Sequence, residues 1–226
     1  NYFATRCDVV GIDLDVIPTT WDVPGYVSMA RRNGVRRVIK TIGRRMLGGD
    51  STYLNEFRRQ MGIPAIPKTR VLWMDASKMS FPEGSIDFIY SFSVFEHIPD
   101  PAAVWRECAR VLKPGGCIYS HFHLYTCDSG NHDPRIVSGA RQDLPYWPHL
   151  RPASQGMVRT NAYLNKKRLG EWWGILDATL PGGKLVYQRD DDLALRLAEA
   201  RRAGDLADYS DDELLTHNII SVWRKP

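Results

Sequence analysis

Three short apolar segments, each leading into a polar side chain, constrain the fold of this chain more than any other feature. The segments are residues 7–14, 70–74 and 86–90. Runs of this length and composition are typical of strands buried in a parallel sheet. Asp13, Asp75 and Ser91 stand at or directly after their carboxyl ends. The sequence therefore predicts a sheet that carries polar groups along one edge.

Helical segments alternate with these strands. Asp100-Pro101 is an N-cap followed by proline at the first helical position, and apolar residues then recur at helical spacing. The other predicted elements are strands at residues 117–122, 184–188 and 218–223 and helices at residues 169–180 and 193–202. This order predicts one α/β domain over residues 1–226, with a mostly parallel sheet.

The composition is that of an ordinary globular protein, with 43% hydrophobic and 25% charged residues among 226. No apolar run reaches the roughly 18 residues that a membrane span needs, and no signal peptide opens the chain. The four cysteines form no C-x-x-C pair, which favours reduced thiols. These features predict a cytoplasmic location.

Residues 18–69 are longer than a compact α/β unit needs between two strands, so we interpret them as a basic, partly helical insertion. An apolar stripe runs through the segment at residues 35, 38, 39, 42 and 46. Seven cations and no acid surround it within residues 31–45. Three interpretations of the basic segment are open. It is a solvated helix face, it contacts an anionic membrane surface, or it contacts a phosphorylated acceptor or nucleic acid.

The segment from Asp75 to Gly116 carries a family resemblance. It reads as Asp-Ala after a strand, then FPEGSID leading into the next strand, then EHIPD, a helix, and finally RVLKPGG. This succession resembles the class I S-adenosylmethionine-dependent methyltransferases. The resemblance implies a Rossmann-like α/β fold with helices on both faces of the sheet and S-adenosyl-L-methionine as cofactor.

The resemblance also implies roles for individual residues at the strand ends, where ligands bind in open parallel sheets. Asp13 would hold the ribose, and Leu14 would lie against the adenine. Met74, Asp75 and Ala76 would border the adenine edge, with the Asp75 carboxylate accepting from the exocyclic amine. Ser91 and Phe92 would border the methionine part of the cofactor.

The chain departs from the family pattern at one point. The Gly-x-Gly-x-Gly loop that should follow the first strand has no counterpart in this sequence, which opens at Asn1 rather than at a methionine. Either the first strand and its loop precede the sequence given, which we favour, or the protein is a degenerate relative that has lost them.

A histidine-rich stretch is the candidate site for the methyl acceptor. The stretch holds His121, His123, His132, Asp133 and His149, which lie at the end of the predicted strand 117–122 and in the loop that follows. Because an alcohol acceptor must lose its proton, we predict that His123 or His132 is the general base and that Asp133 orients an imidazole. The same groups can bind a divalent metal, although their spacing matches no strong metal signature, and ordinary loop hydrogen bonds are the alternative.

The loop HFHLYTCDSGNHDP followed by LPYWPHLRP resembles loops of bacterial methyltransferases associated with polysaccharides or glycolipids. Tyr125, Tyr146, Trp147 and His149 would either stack on a sugar or bury the loop. We therefore expect O-methylation of a sugar or another small hydroxylated metabolite. The alternatives are an RNA or protein methyltransferase and a non-catalytic, methyltransferase-like scaffold.

Overall fold

A computed structural model describes residues 3–15, 18, 21, 23–65, 69–141, 143–160 and 162–226, apart from the side chains of residues 49 and 50. The chain divides into two compact units, residues 1–80 and 81–226. The single domain over residues 1–226 stays a prediction, as do the first strand and glycine loop upstream. Residues 19, 20, 22 and 66–68 of the predicted insertion lie outside the described residues.

The first unit contains a two-stranded parallel sheet and three helices. The strands are β1 (Val10–Asp13) and β2 (Arg70–Trp73), paired in parallel with Asp13 opposite Trp73. The helices are α1 (Val23–Asn33), α2 (Val35–Met46) and α3 (Gly49–Met61). Gly34 and Gly48 separate them because each takes a positive φ, 84° and 70°, that other residues rarely adopt.

The second unit is built on a four-stranded sheet in the order β3-β4-β6-β5. Its strands are β3 (Ile86–Phe92), β4 (Leu112–His123), β5 (Lys184–Arg189) and β6 (Thr216–Arg224). Its helices are α4 (Pro101–Val111), α5 (Pro134–Val137), α6 (Leu169–Thr179), α7 (Ala194–Arg202) and α8 (Asp211–Leu215).

Three of the four strands of this sheet, β3, β4 and β5, run in the same direction, as in the predicted mostly parallel sheet, and β6 alone runs against them. Only β3 pairs in parallel with β4, whereas β6 runs antiparallel to both β4 and β5. The reason lies in the chain path, because α8 leads directly into β6 at the edge where β4 ends. There the Leu124 N–H donates to the His217 carbonyl at 3.1 Å, so that β6 returns alongside β4.

One face of this sheet is the core of the unit. Alternate residues of β4 are buried, and Phe122 packs its ring 4.4 Å from Trp172 of α6. Trp105 of α4 meets Trp172 at 5.8 Å in an edge-on arrangement. Helix α4 begins where predicted, since the Asp100 carboxylate accepts from the Ala103 N–H at 3.0 Å.

The described residues contain no helix long and apolar enough to cross a bilayer.

His149 fixes the loop that follows β4. Its Nε2–H donates to the Tyr125 carbonyl at 2.7 Å, and its Nδ1 accepts from the Asn131 amide at 2.9 Å. Both ring nitrogens are therefore satisfied in the neutral form. Burial lowers the pKa of His149 to about 4.

We predict that His149 makes the protein less stable in mild acid. The unfolded chain protonates this ring near its ordinary pKa of about 6.5, whereas the folded protein resists protonation down to about 4, so stability falls with pH across that window by about 1.4 kcal/mol per unit. Thermal melts at pH 7 and pH 5 should show a smaller acid loss for His149→Gln than for the wild type. Equal losses in the two proteins would contradict this role.

Candidate functional site

Two predicted cofactor carboxylates lie at the same edge of the β1–β2 sheet. The Met74 N–H donates to the Asp13 carbonyl at 2.9 Å, which brings the ends of the two strands together. The Asp13 carboxylate accepts from the Asp15 N–H at 2.8 Å through Oδ1, and Asp75 Oδ1 accepts from the Ser77 N–H and hydroxyl, each at 2.8 Å. The Ser77 hydrogen bonds lower the pKa of Asp75, so the carboxylate stays ionised.

This edge fits the adenosine part of S-adenosylmethionine. Both carboxylates are exposed, and Oδ2 of Asp13 has no partner among the described residues. A carboxylate oxygen held open in this way can accept the hydrogen bonds that ribose hydroxyls donate. Leu14 is 64% exposed next to it, with its carbonyl 2.7 Å from the Trp73 indole N–H, and offers an apolar surface for a base.

Ser91 and Phe92 end strand β3 in the second unit. The Phe92 ring is half exposed and stacks on His121, with ring centres 4.3 Å apart and planes within 3°. Ser93 then takes a left-handed backbone with φ of 52°, and its N–H donates to the His121 carbonyl at 2.8 Å. The turn after β3 is thereby held against the end of β4.

A chain of imidazole rings continues from the end of β4. His123 Nδ1 lies 3.1 Å from His132 Nε2, and His123 Nε2 lies 2.8 Å from His217 Nε2. Two imidazolium ions cannot share such a contact, since each nitrogen pair has room for one proton. Burial, followed by the neighbouring histidines, lowers the pKa of His123 to about 3, and burial is also the main cause that lowers the pKa of His132 and His217.

Glu96 and His97 complete this histidine cluster from the turn after β3. Glu96 is 3% exposed, and its Oε1 accepts weakly from the His123 N–H at 3.4 Å. Its Oε2 is buried without a partner among the described residues. The His97 Nδ1–H donates to the Tyr163 carbonyl at 2.7 Å, which leaves the Nε2 lone pair available. Burial raises the pKa of Glu96.

Asp133 does not orient an imidazole, contrary to the prediction. The side chain is fully buried, and the Arg135 guanidinium donates to both of its oxygens at 3.0 and 2.6 Å. The Arg159 N–H donates to Oδ2 at 2.8 Å. Arg135 is the main cause that lowers the pKa of Asp133, so this carboxylate is a structural anion at the start of α5.

The predicted acceptor residues are only partly brought together. His123 and His132 are in contact, whereas His149 faces Asn131 and Tyr125. The sequence reasoning missed Glu96 and His217 and set His97 aside. For Glu96 and His97 a signal existed, because a turn after one parallel strand must lie beside the end of its neighbour. For His217 no signal existed, because its place depends on the antiparallel return of β6.

Two of the four loop aromatic residues proposed for sugar stacking are buried. Trp147 is fully inaccessible, its indole N–H donates to the Leu214 carbonyl at 3.1 Å, and it belongs to a core with Leu150 and Leu197. His149 is buried as described above, and Tyr125 and Tyr146 pack partly against the same core. Burial is thus the main role of this loop.

A cavity of about 360 Å³ adjoins the histidine cluster within the second unit. His123 and His217 line it together with polar and charged side chains, including Ser129, Asp128 and Asp190. Its volume lies at the lower end of the range of small-molecule sites, about 300–1,000 Å³. The described part of the chain therefore offers a small pocket, lined by apolar as well as polar side chains, beside imidazole nitrogens.

Comparison with known proteins matches residues 35–120 to the family described as a methyltransferase domain. A 2-methyl-6-phytyl-1,4-hydroquinone methyltransferase of Synechocystis is 37% identical over 87 residues, which cover 35% of this chain and 26% of that protein. A ubiquinone biosynthesis O-methyltransferase of Pseudomonas paraeruginosa is 32% identical over 89 residues, covering 39% and 34%. The matches thus span about a quarter to a third of these relatives.

Among solved structures, the chain resembles the phosphoethanolamine N-methyltransferase 2 of Haemonchus contortus bound to S-adenosyl-L-methionine. The TM-score is 0.43 at 16% identity, covering 70% of this chain and 37% of that one. An S-adenosylmethionine-dependent methyltransferase of Mesorhizobium loti gives a TM-score of 0.40 at 13% identity, covering 71% of both chains.

The matched residues include the whole motif that runs from Asp75 to Gly116. Residues 35–120 are thus similar to a methyltransferase domain, and the named relatives are methyltransferases of which this chain matches a part.

Proposed function

We propose that the protein is an S-adenosylmethionine-dependent methyltransferase that methylates a hydroxyl oxygen of a sugar or another small hydroxylated metabolite. The observation that carries the proposal is the pair of exposed carboxylates, Asp13 and Asp75, at one edge of a parallel sheet. The Asp13 Oδ2 atom is available to accept hydrogen bonds from a ribose, and the hydrogen bonds from Ser77 keep Asp75 ionised. The similarity to a ubiquinone biosynthesis O-methyltransferase supports oxygen as the methylated atom.

The cofactor supplies a methyl group on a sulfonium, which is a good leaving group, so the residues of the chain mainly bind and align. Asp13 and Leu14 bind the ribose and the adenine face, and Met74, Asp75 and Ala76 border the adenine edge. The family resemblance assigns Ser91 and Phe92, in the second unit, to the methionine part. The stacking of Phe92 on His121 keeps the end of β3 in a fixed orientation for this contact.

The cavity beside His123 and His217, with its mixed apolar and polar lining, suits a small hydroxylated acceptor. His123 or His132 takes the hydroxyl proton in this proposal, and the neutral rings are the form able to do so. Compared with an RNA or protein substrate, a small molecule is favoured by the 360 Å³ size of this cavity.

A non-catalytic scaffold is the competing function, and it differs in binding no S-adenosylmethionine. A cytoplasmic location stays a prediction.

We predict that Asp13→Asn weakens the binding of S-adenosylhomocysteine by the full-length protein about 10- to 100-fold. A hydrogen bond to a charged acceptor contributes about 1.5–3 kcal/mol, and the amide lacks the charge and one acceptor oxygen. Isothermal titration calorimetry measures the change. Asp8→Asn, an exposed aspartate ahead of β1, is the matched control and should bind like the wild type. Equal binding by all three proteins would contradict the role of Asp13, and no binding by the wild type would favour the scaffold.

We predict that His123→Ala and His132→Ala lower methyl transfer while leaving S-adenosylhomocysteine binding unchanged. Loss of a positioned acid or base costs about 10²- to 10⁴-fold in turnover. Transfer of a labelled methyl group to a panel of sugars and hydroxylated metabolites measures the rate. Full turnover in both variants would remove the histidines from the reaction.

We also propose that helix α2 contacts an anionic membrane surface. Its apolar side chains Val35, Ile39 and Met46 are 63–75% exposed. The cations Arg36 and Lys40 on the same helix have no ion-pair partner among the described residues, although Arg37 pairs with Asp15. An exposed apolar stripe flanked by free cations is the pattern of a helix that lies in a membrane interface.

We predict that the protein binds vesicles containing anionic lipid and is released by salt, because screening shortens the reach of the cations. Sedimentation with vesicles at low and high ionic strength measures this. Ile39→Asp should reduce binding at low salt. Salt-independent or absent binding would contradict the proposal, and salt-dependent binding to nucleic acid instead would favour the alternative reading.

A further inference from the structure

We infer that Glu96, His97 and His132 form a binding site for a divalent transition-metal cation, with Zn²⁺ as the best-matched ion. The inference rests on the proposed function only for the role of the cation, since the site itself is built from side chains of the second unit. Each of the three residues offers one ligand atom, and these atoms all lie within 4.8 Å of one another.

The buried carboxylate is the strongest indication. Glu96 is 97% inaccessible, and its Oε2 has no hydrogen-bond partner among the described residues. An unpaired carboxylate in such a place is costly unless a cation or a proton neutralises it. In the described part of the chain no Lys or Arg forms an ion pair with Glu96, and the groups that surround it are imidazoles. A metal ion satisfies the carboxylate and the imidazoles together.

His97 is held as metal-binding histidines are commonly held. Its Nδ1–H donates to the Tyr163 carbonyl at 2.7 Å, which fixes the tautomer and leaves the Nε2 lone pair free for a ligand bond. Its ring stands edge-on to His132 with ring centres 4.9 Å apart. His132 takes a left-handed backbone with φ of 55°, in the turn whose Ser129 carbonyl accepts the His132 N–H at 2.9 Å.

His123 and His217 support the site from behind. His123 Nδ1 is 3.1 Å from His132 Nε2, and His123 Nε2 is 2.8 Å from His217 Nε2. Partners of this kind orient the ligand rings and raise their basicity toward the metal. The Ser129 hydroxyl, 3.1 Å from His217 Nε2, ends the chain of contacts.

The chemistry of the ligands selects the ion. Two imidazoles and one carboxylate suit zinc and iron(II) better than magnesium or calcium, which prefer oxygen ligands. Because the three atoms lie within 4.8 Å of one another, a cation between them lies at most about 2.8 Å from each, so zinc bonds of about 2.1 Å require each ligand atom to move by at most about 0.7 Å. Rotation of exposed parts of His97 and His132 can supply a movement of this size.

Three protein ligands leave at least one coordination position open, as in catalytic rather than structural zinc sites. A hydroxyl oxygen of the acceptor can occupy that position and, once bound, lose its proton more readily to His123, which remains the general base when His132 is a ligand. Its oxygen lone pair then attacks the methyl carbon as the carbon–sulfur bond breaks. The electron pair of that bond stays on the sulfur of S-adenosylhomocysteine, and the methyl ether is formed.

The test is a titration of chelator-treated, full-length protein with Zn²⁺ by calorimetry and with Co²⁺ by visible absorption. We expect one ion per chain and cobalt bands typical of low coordination number. Glu96→Gln and His132→Ala should each weaken Zn²⁺ binding at least about tenfold. Glu199→Gln on α7, an exposed glutamate outside the three ligands, is the matched control for Glu96→Gln and should bind like the wild type.

Circular dichroism and thermal melts identify any variant that fails to fold, and the near-isosteric Glu96→Gln keeps the test decisive if His132→Ala unfolds. Zinc should raise the melting temperature of the wild type but not of Glu96→Gln. The inference is overturned if the wild type binds no zinc or if both ligand variants keep wild-type affinity. Binding of S-adenosylhomocysteine, measured separately, shows whether the methyltransferase proposal stands when the metal site does not.

Discussion

The parallel pairing of β3 with β4 is the interaction on which the candidate site depends. Parallel strands end at the same edge, so the turn after β3 must lie beside the last residues of β4. The pairing continues to Phe92 opposite His121, and the Ser93 N–H adds one more hydrogen bond beyond it. This register carries Glu96 and His97 to His123. A shift of one residue would turn the β4 histidines toward the core face.

Burial then sets the chemistry of the groups brought together. Residues such as Phe122 fill the core face with Trp105 and Trp172, while His121 and His123 occupy the opposite, half-buried face. The imidazoles of His123, His132 and His217 remain neutral, because charging one ring next to another in a partly desolvated cluster is unfavourable. Neutral imidazoles and one carboxylate can accept protons or bind a cation. They carry no positive charge with which to bind an anionic substrate.

Most of the elements could be predicted from the sequence because their signals are local. The Asp100-Pro101 start of α4 and the strand at residues 70–73 lie where periodicity and capping place them. The antiparallel return of β6 could not be predicted, since it depends on contacts between α8 and the loop after β4, such as the hydrogen bond from the Thr126 hydroxyl to the Glu213 carbonyl. The contact of His217 with His123 depends on that return, so it could not be predicted from the sequence either.

The site residues show the same division. Asp13 and Asp75 share a sheet edge as strand-end logic requires. Asp133 was predicted to orient an imidazole because it is adjacent to His132 in the sequence. The structure instead shows a bidentate ion pair between Asp133 and Arg135. Proximity along the chain does not reveal which of two partners a carboxylate takes. Histidine spacing likewise gave no metal signature, because the ligands come from turns after two different strands.

The central claim is that strand-end carboxylates bind the adenosine of S-adenosylmethionine. A crystal structure of the full-length protein with S-adenosylhomocysteine tests it most directly. The account predicts ribose hydroxyls within about 2.5–3.0 Å of the Asp13 carboxylate and the adenine amine in hydrogen-bond contact with Asp75. Electron density for the nucleoside away from both carboxylates would contradict it. Hydrogen bonds or ion pairs between these carboxylates and other groups of the protein, in place of the nucleoside, would contradict it as well.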